Sequence, residues 1–423
     1  MDAHPILSHV TLGYSPMVDR QHAVIATRLT VFPETPDAAP DVPALLAAIA
    51  EVWPPADAAG GPLNLTLRPL DPGNVQQRAG SAKLQPVSLN IAGEALLAST
   101  LRSQPPSNLM VEVPAFLAGQ PDWLLPLKDL HAAGSTLLIK GRPLVELPRE
   151  LLPVFSHSIV DVNEDRRAAG SVAPAGVQRG ITTVQSGVRT LADVKAAFER
   201  GAVATLGWPI EDPVEASKAS VPTDIQVVMQ LMQGVDREEP VAKLETLLKR
   251  DPTVAFRLMR YLNSPAFGLK VEVNSLGHAL MMLGYQRLKR WLALLLASSV
   301  KDVNLKPAMF AAVRRGLLME ELGRKSVDAE AHGEMFICGV FSLLDRLLKQ
   351  PFDQLLANLP VPERVQQALL GQGGPFLPYL ELVRAVEQEA LFDIRERAEG
   401  LFMHTGEVNR ALLTALAAAR ALD

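Results

Sequence analysis

DPTVAFRLMRYLNSPAFGLKVEVNSLGHALMMLGYQRLKRW, residues 251 to 291, is the stretch that decides the character of the second half of this chain. Asp251 is placed to cap a helix whose first position is Pro252, where a missing N–H costs little. Phe256, Leu258, Tyr261 and Leu262 continue that helix, and Asn263-Ser264-Pro265 stops it, because a residue before proline disfavours helical geometry. Ser275 is placed to cap a second helix carrying Ala279, Leu283, Leu288 and Leu292 on one face. Two amphipathic helices joined by a short loop, with hardly a strand signal for 200 residues around them, predict a helical bundle.

Outward from this hairpin, helical spacing recurs at Val241 to Leu248, Pro307 to Leu322, Glu334 to Leu348, Val361 to Leu370, Tyr379 to Ala390 and Thr405 to Leu422. The texture before residue 213 is different. Short β-prone runs at Val24 to Phe32, Leu63 to Leu67, Val87 to Ile91, Leu109 to Val113, Thr136 to Ile139, Ser158 to Val162 and Thr182 to Val184 alternate with helical stretches. The helical stretches are Val42 to Val52, Glu94 to Leu101, Asp122 to Ala133 and Leu191 to Arg200. Such alternation predicts an α/β fold with a mostly parallel sheet that can close into a barrel. Gly73 to Gln85 is read as a polar surface connection. IEDPVEASKASVPT, residues 210 to 223, is rich in proline, charge and small residues and is the expected linker. The expected domains are therefore 1–210 and 224–423, with 211–223 between them.

Composition narrows the function classes. The chain has 423 residues, 48% hydrophobic and 21% charged, with a formal net charge of −5. That balance supplies no global field for nucleic acid or an anionic membrane. One cysteine, Cys338, excludes an internal disulfide and any cysteine-cluster metal site, and is expected as a small buried hydrophobe. No basic-then-apolar leader opens the sequence, and the most apolar run, 275–300, is interrupted by Arg287, Lys289 and Arg290. A cytoplasmic location is expected.

The hairpin, with NSPAFG (263–268), SLGHALMMLGYQRLKRW (275–291), CGVFSLLDRLL (338–348) and LANLPVPERVQQALL (356–370), resembles the HDOD domain of bacterial signalling proteins. The first half resembles the EAL domain, a TIM-like barrel that hydrolyses cyclic di-GMP with metal ions. That likeness is carried by GYSPMVDRQHAVIATRL (13–29), VSLNIAGEALLAS (87–99), LHAAGSTLLIKG (130–141), FSHSIVDVNED (155–165) and ERGAVATLGWPIEDP (199–213). Together they resemble the EAL–HDOD signalling proteins, which implies a barrel followed by an HDOD bundle.

Against the EAL pattern, the residues needed for metal chemistry are largely replaced. Arg28 stands at the signature glutamate, Lys140 and Gly141 at the paired aspartates, Asp161 at the lysine, Asn163 at a following aspartate and Ser186 at a later glutamate. Asn90 and Glu112 keep the expected types. Two divalent ions need several converging carboxylates, so neither metal nor other cofactor is expected, and the resemblance implies an inactive barrel. Arg28, Asn90, Glu112, Lys140 and Asp161 are read as a vestigial pocket, with Arg28 and Asp161 as a structural ion pair. In the helical half no His-Asp pair exists for HD-type hydrolysis. His278 is expected to be buried or half-buried, and His332 to face solvent. Arg287, Lys289, Arg290 and Trp291, with Tyr285, form a basic-aromatic cluster, either a contact surface or a helix end favoured by its dipole. The expected function is signalling through unidentified protein partners, with pairing of barrels implied by the resemblance. Two alternatives remain: a residual metal-dependent cyclic di-GMP phosphodiesterase, and a nucleotide sensor that binds without hydrolysis.

Overall fold

A computed structural model describes residues 4–38, 40–54, 86–106, 109–141, 147–165, 181–214, 223–262, 275–299, 302–357, 359 and 361–420. The expected strand at Leu63 to Leu67, the connection 73–85, most of the linker and the NSPAFG turn lie outside the described residues. The chain divides into two compact units. One comprises Met1–Asp212 with Arg384–Ala417 and Asp423, and the other Pro213–Val383 with Ala418–Leu422. The division differs from an expected helical domain running unbroken from 224 to 423, because residues 384–417 group with the first half.

The first unit is built on a closed barrel of eight strands. They are β1 (Val10–Val18), β2 (Val24–Pro33), β3 (Val87–Ile91), β4 (Leu109–Pro114), β5 (Thr136–Lys140), β6 (Phe155–Asp161), β7 (Thr182–Val188) and β8 (Ala204–Gly207). β1 runs antiparallel to both β2 and β8, and all other pairs are parallel. Strands β1 and β8 were not among the runs read as strands. β1 is buried along all nine residues, so its sequence lacks the alternation that marks a half-exposed strand. Helices α1 (Val42–Val52), α2 (Glu94–Arg102), α3 (Pro121–Ala132) and α4 (Leu191–Glu199) fall where helical spacing predicts them.

Side chains alternate along a strand, so residues two apart share a face. Met17, Ala26, Met110, Leu138, Ile159, Val184, Ala204 and Leu206 fill the barrel as one apolar cluster. Two residues further along β2, β4, β5, β6 and β7 stand Arg28, Glu112, Lys140, Asp161 and Ser186. The inward alternation therefore stacks a polar layer next to the apolar one.

β1 bonds to β8 only through Met17 and Val18, which leaves the other edge of residues 10–14 to be covered by something else. Two helices near residue 400 do this. α12 (Leu391–Gly400) brings Arg395, which donates to Thr11 Oγ1 and to the carbonyls of Pro33 and Glu34, each at 3.3 Å. α13 (Thr405–Arg420) brings Asn409, fully buried, whose Nδ2 donates to the carbonyls of Leu7 and Val10 at 2.7 Å.

The described elements of the second unit are helices: α5 (Thr223–Asp236), α6 (Val241–Leu248), α7 (Pro252–Leu262), α8 (Leu276–Ser298), α9 (Lys306–Gly323) and α10 (Ala329–Phe341), with shorter helices after them. Asp251 caps α7, accepting from the N–H groups of Thr253 and Val254 at 2.8 and 3.2 Å, and Ser275 caps α8 through His278 N at 3.2 Å. α9 and α10 approach closely because Gly339 has no side chain. A Cβ there would lie 2.5 Å from the Arg315 carbonyl. Cys338 is buried beside it, as expected. Among the described residues no helix is long and apolar enough to cross a membrane.

Candidate functional site: the barrel mouth

Strand register brings the vestigial-pocket residues together. Arg28 lies opposite Ser15 on β1 and Ser88 on β3, Thr30 lies opposite Asn90, and Asp161 lies opposite Ser186. Of these, Ser15, Arg28, Thr30, Asn90, Lys140, Asp161 and Ser186 border a cavity of about 780 Å³ that also touches Phe32, Phe116 and Trp208.

Arg28 is the centre of the electrostatics. Its Nε donates to Glu112 Oε1 at 2.9 Å and its Nη2 to Oε2 at 2.7 Å, a two-pronged pair that uses both carboxylate oxygens. Ser88 Oγ donates to Glu112 Oε1 at 3.0 Å. Glu112 is 1% exposed and Arg28 9%. Burial alone pulls the guanidinium's proton affinity down, but the adjoining carboxylates of Glu112 and Glu389 outweigh it and hold Arg28 charged. The expected Arg28–Asp161 pair is therefore corrected: Glu112 takes the guanidinium, and Asp161 instead accepts from Asn163 N and Nδ2 at 2.9 and 3.0 Å.

Sequence reasoning missed the residue that completes this network. Glu389 lies 361 positions after Arg28, in the turn between α11 (Leu377–Glu387) and α12. Its Oε1 accepts from Ser15 Oγ and its Oε2 from Thr30 Oγ1, both at 2.7 Å, and Arg28 Nη1 stands 3.7 Å from Oε2. Thr30 Oγ1 in turn accepts from Asn90 Nδ2 at 3.0 Å, and Asn90 Oδ1 accepts from Lys140 Nζ at 2.7 Å. Burial, and then the nearby Arg28, lowers the Lys140 pKa below its ordinary value.

The Glu389 turn is held against β1 by its backbone as well. Trp208 Nε1 donates to the Glu387 carbonyl at 3.0 Å, and the Trp208 ring meets Tyr14 edge-on at 5.5 Å. Gly13 permits the approach: a Cβ on it would lie 3.0 Å from both Glu389 Cα and the Val386 carbonyl. Nothing in the local sequence VEQEALFD marks Glu389, because its partners are contributed by β1 and β2 at the opposite end of the chain.

This donor set does not fit a divalent metal. Both oxygens of Glu112 are committed to Arg28, a second cation, Lys140, sits at the same mouth, and among the described residues no group of three or more His, Cys, Asp or Glu is arranged to hold a metal ion.

The basic-aromatic cluster of the helical unit is tied into its own fold. Trp291 is buried at 5% exposure. Lys289 pairs with Asp236 at 2.6 Å, Arg290 pairs with Glu320 and lies over the Phe336 ring at 3.9 Å, and Tyr285 Oη donates to the Glu239 carbonyl at 2.9 Å. Arg287 is also engaged. His278 is exposed, contrary to expectation, because it follows the cap on the outer side of α8. His332, expected to face solvent, is half-buried, with its Nε2 3.0 Å from the Gly323 carbonyl.

Residues 221–349 match the HDOD domain. The chain is 26% identical over 308 residues to the uncharacterized protein YuxH of Bacillus subtilis, covering 70% of this chain and 74% of that one. It is 25% identical over 211 residues to the cyclic di-GMP phosphodiesterase CdgJ of Vibrio cholerae, covering 49% of each, so the match spans about half of that relative. Among solved structures, the PaMucR phosphodiesterase complexed with cyclic di-GMP aligns with a TM-score of 0.32 and 17% identity, over 48% of this chain and 92% of that chain. The Klebsiella pneumoniae BlrP1 calcium complex with cyclic di-GMP aligns with a TM-score of 0.29 and 16% identity, over 50% and 57%.

Proposed function

We propose that this chain, an EAL–HDOD protein with an eight-stranded barrel ahead of its HDOD domain, transmits a signal in a cyclic di-GMP-linked pathway without hydrolysing the nucleotide. It acts by contact with other signalling proteins. The pathway is carried over from the phosphodiesterase CdgJ, with which the chain shares 25% identity.

The observation that carries the loss of hydrolysis is the Arg28–Glu112 pair. Hydrolysis of a phosphodiester with metal help needs carboxylates free to bind the ions that position and deprotonate water. Here the acidic group of β4 neutralises a buried arginine on β2. Extracting it to bind metal breaks the two-pronged pair and leaves that buried cation with only Glu389, 3.7 Å away, which costs up to about 3–5 kcal/mol.

The test is incubation of the purified chain with cyclic di-GMP and magnesium or manganese. The expected result is no product beyond that formed by the Glu112→Ala variant. Turnover that the wild type sustains and Glu112→Ala abolishes overturns the reading.

A further inference from the structure

We propose that Glu389 is a built-in competitor: its carboxylate fills an anion cradle made by Ser15, Thr30 and Arg28, and the cradle takes a phosphate-bearing ligand when that carboxylate withdraws. This rests on the preceding reading only in treating the mouth as a binding site without catalysis.

Three features carry it. First, the cradle has the donor chemistry of an oxyanion site. Two hydroxyl groups donate to separate oxygens of Glu389 at 2.7 Å, with a guanidinium nitrogen 3.7 Å away. Charge-assisted donors of this kind serve a carboxylate and a phosphate alike.

Second, the turn that delivers the carboxylate is strained. Glu389 has φ of +54°, a left-handed conformation in which glycine is usual after a helix and a side chain is disfavoured. The backbone bond from Ala390 N to the Ala385 carbonyl at 3.1 Å closes the turn, and the two hydroxyl contacts fix where its side chain lies.

Third, the mouth has room for a larger ligand. The cavity beside Glu389 is about 780 Å³, within the range of small-molecule sites, and Phe32, Phe116 and Trp208 give it apolar faces. Phe116 is 54% exposed there. With Glu389 in place, Asp161 and Glu164, which line the same cavity, add to a negative field that repels an anion. Withdrawal of Glu389 removes one negative charge and frees three donors at once.

The experiment is calorimetry on the full chain with two probes, inorganic phosphate and cyclic di-GMP, compared across wild type, Glu389→Ala and Gly13→Val. Gly13→Val leaves the carboxylate intact but pushes the turn off β1, so it tests withdrawal independently. Circular dichroism melts establish that each variant is folded. The expected result is affinity at least about tenfold higher in both variants than in wild type, the equivalent of losing roughly 1.4 kcal/mol of internal competition. Tightening for both probes assigns the cradle to phosphate as such; tightening for cyclic di-GMP alone assigns it to a nucleotide whose bases use the aromatic walls. Unchanged affinity for both probes in a folded Glu389→Ala protein overturns the proposal and leaves the absence of hydrolysis untouched. Tightened binding accompanied by metal-dependent turnover upholds the cradle and overturns the non-hydrolytic reading.

Discussion

Asn409 accepts the backbone N–H of Leu12 through its side-chain carbonyl at 3.0 Å, across 397 positions of sequence. Its amide nitrogen meanwhile satisfies the carbonyls of Leu7 and Val10, so one side chain stands in for a neighbouring strand along the open edge of β1. Buried backbone groups need such partners.

Replacing Asn409 by leucine removes three hydrogen bonds and orphans three backbone groups in a site with no water-facing exit. The expected loss is about 2–4 kcal/mol, several times a single exposed hydrogen bond. Urea unfolding followed by tryptophan fluorescence measures it. A shift no larger than that of a surface control means that β1 finds other partners.

The Arg28–Glu112 pair gives a second outcome. Arg28→Met alone or Glu112→Leu alone strands a buried charge, and each is expected to cost about 3–5 kcal/mol. The double change removes both charges and is expected to cost much less than the two losses added together. A double-mutant cycle in denaturant reads this coupling directly; additive losses contradict the pair's electrostatic role.

His157 makes the barrel sensitive to acid. Burial drives its pKa down to about 4 from an ordinary 6.5, so the folded barrel holds the ring neutral. Above pH 6.5 neither state carries the proton and stability is complete. Below it the unfolded chain binds a proton that the folded one refuses, and stability drains away until about pH 4. The gap between the two values corresponds to about 3 kcal/mol. In His157→Gln the part of the pH dependence lying between pH 6.5 and 4 is expected to vanish, as followed by denaturant midpoints across that range.

In the helical unit, Gly339→Val is expected to lower stability by about 1–3 kcal/mol by forcing α9 from α10. The virtual Cβ already meets Arg315 backbone atoms at 2.5 Å, and no flexible side-chain tip is there to yield. Differential scanning calorimetry of the full chain reads it as an earlier melting transition.

What the sequence made legible was set by distance along the chain. Asp251 and Ser275 announce their helices because a cap reads its partners within three residues. Arg28, Asn90, Glu112 and Lys140 were readable as one pocket only through the resemblance, which supplied their positions; period-two alternation then explains how the strands deliver Arg28, Glu112 and Lys140 to the same layer. Asp161 was assigned the wrong partner because strand periodicity says which face a residue occupies, not which neighbour it bonds. Ser15 and Thr30 are ordinary hydroxyls in β-prone runs and acquire meaning only when Glu389 arrives from residues that spacing could assign only to a helical bundle. The cluster at Arg287 to Trp291 stayed open between a contact surface and a helix end because charge was visible and its counter-charges, Asp236 and Glu320, were not adjacent in sequence.

The docking of α13 along β1 has a consequence in time. A strand made ahead of the other seven must wait for Asn409, nearly 400 residues and on the order of tens of seconds of synthesis later, before its edge is sealed. The barrel cannot be a finished module that folds ahead of the HDOD segment. A chain cut at the linker yields a first half with β1 exposed, inclined to pair with other chains and lacking the turn that fills its mouth. Docking of α13 is therefore the step at which this barrel becomes closed to its surroundings.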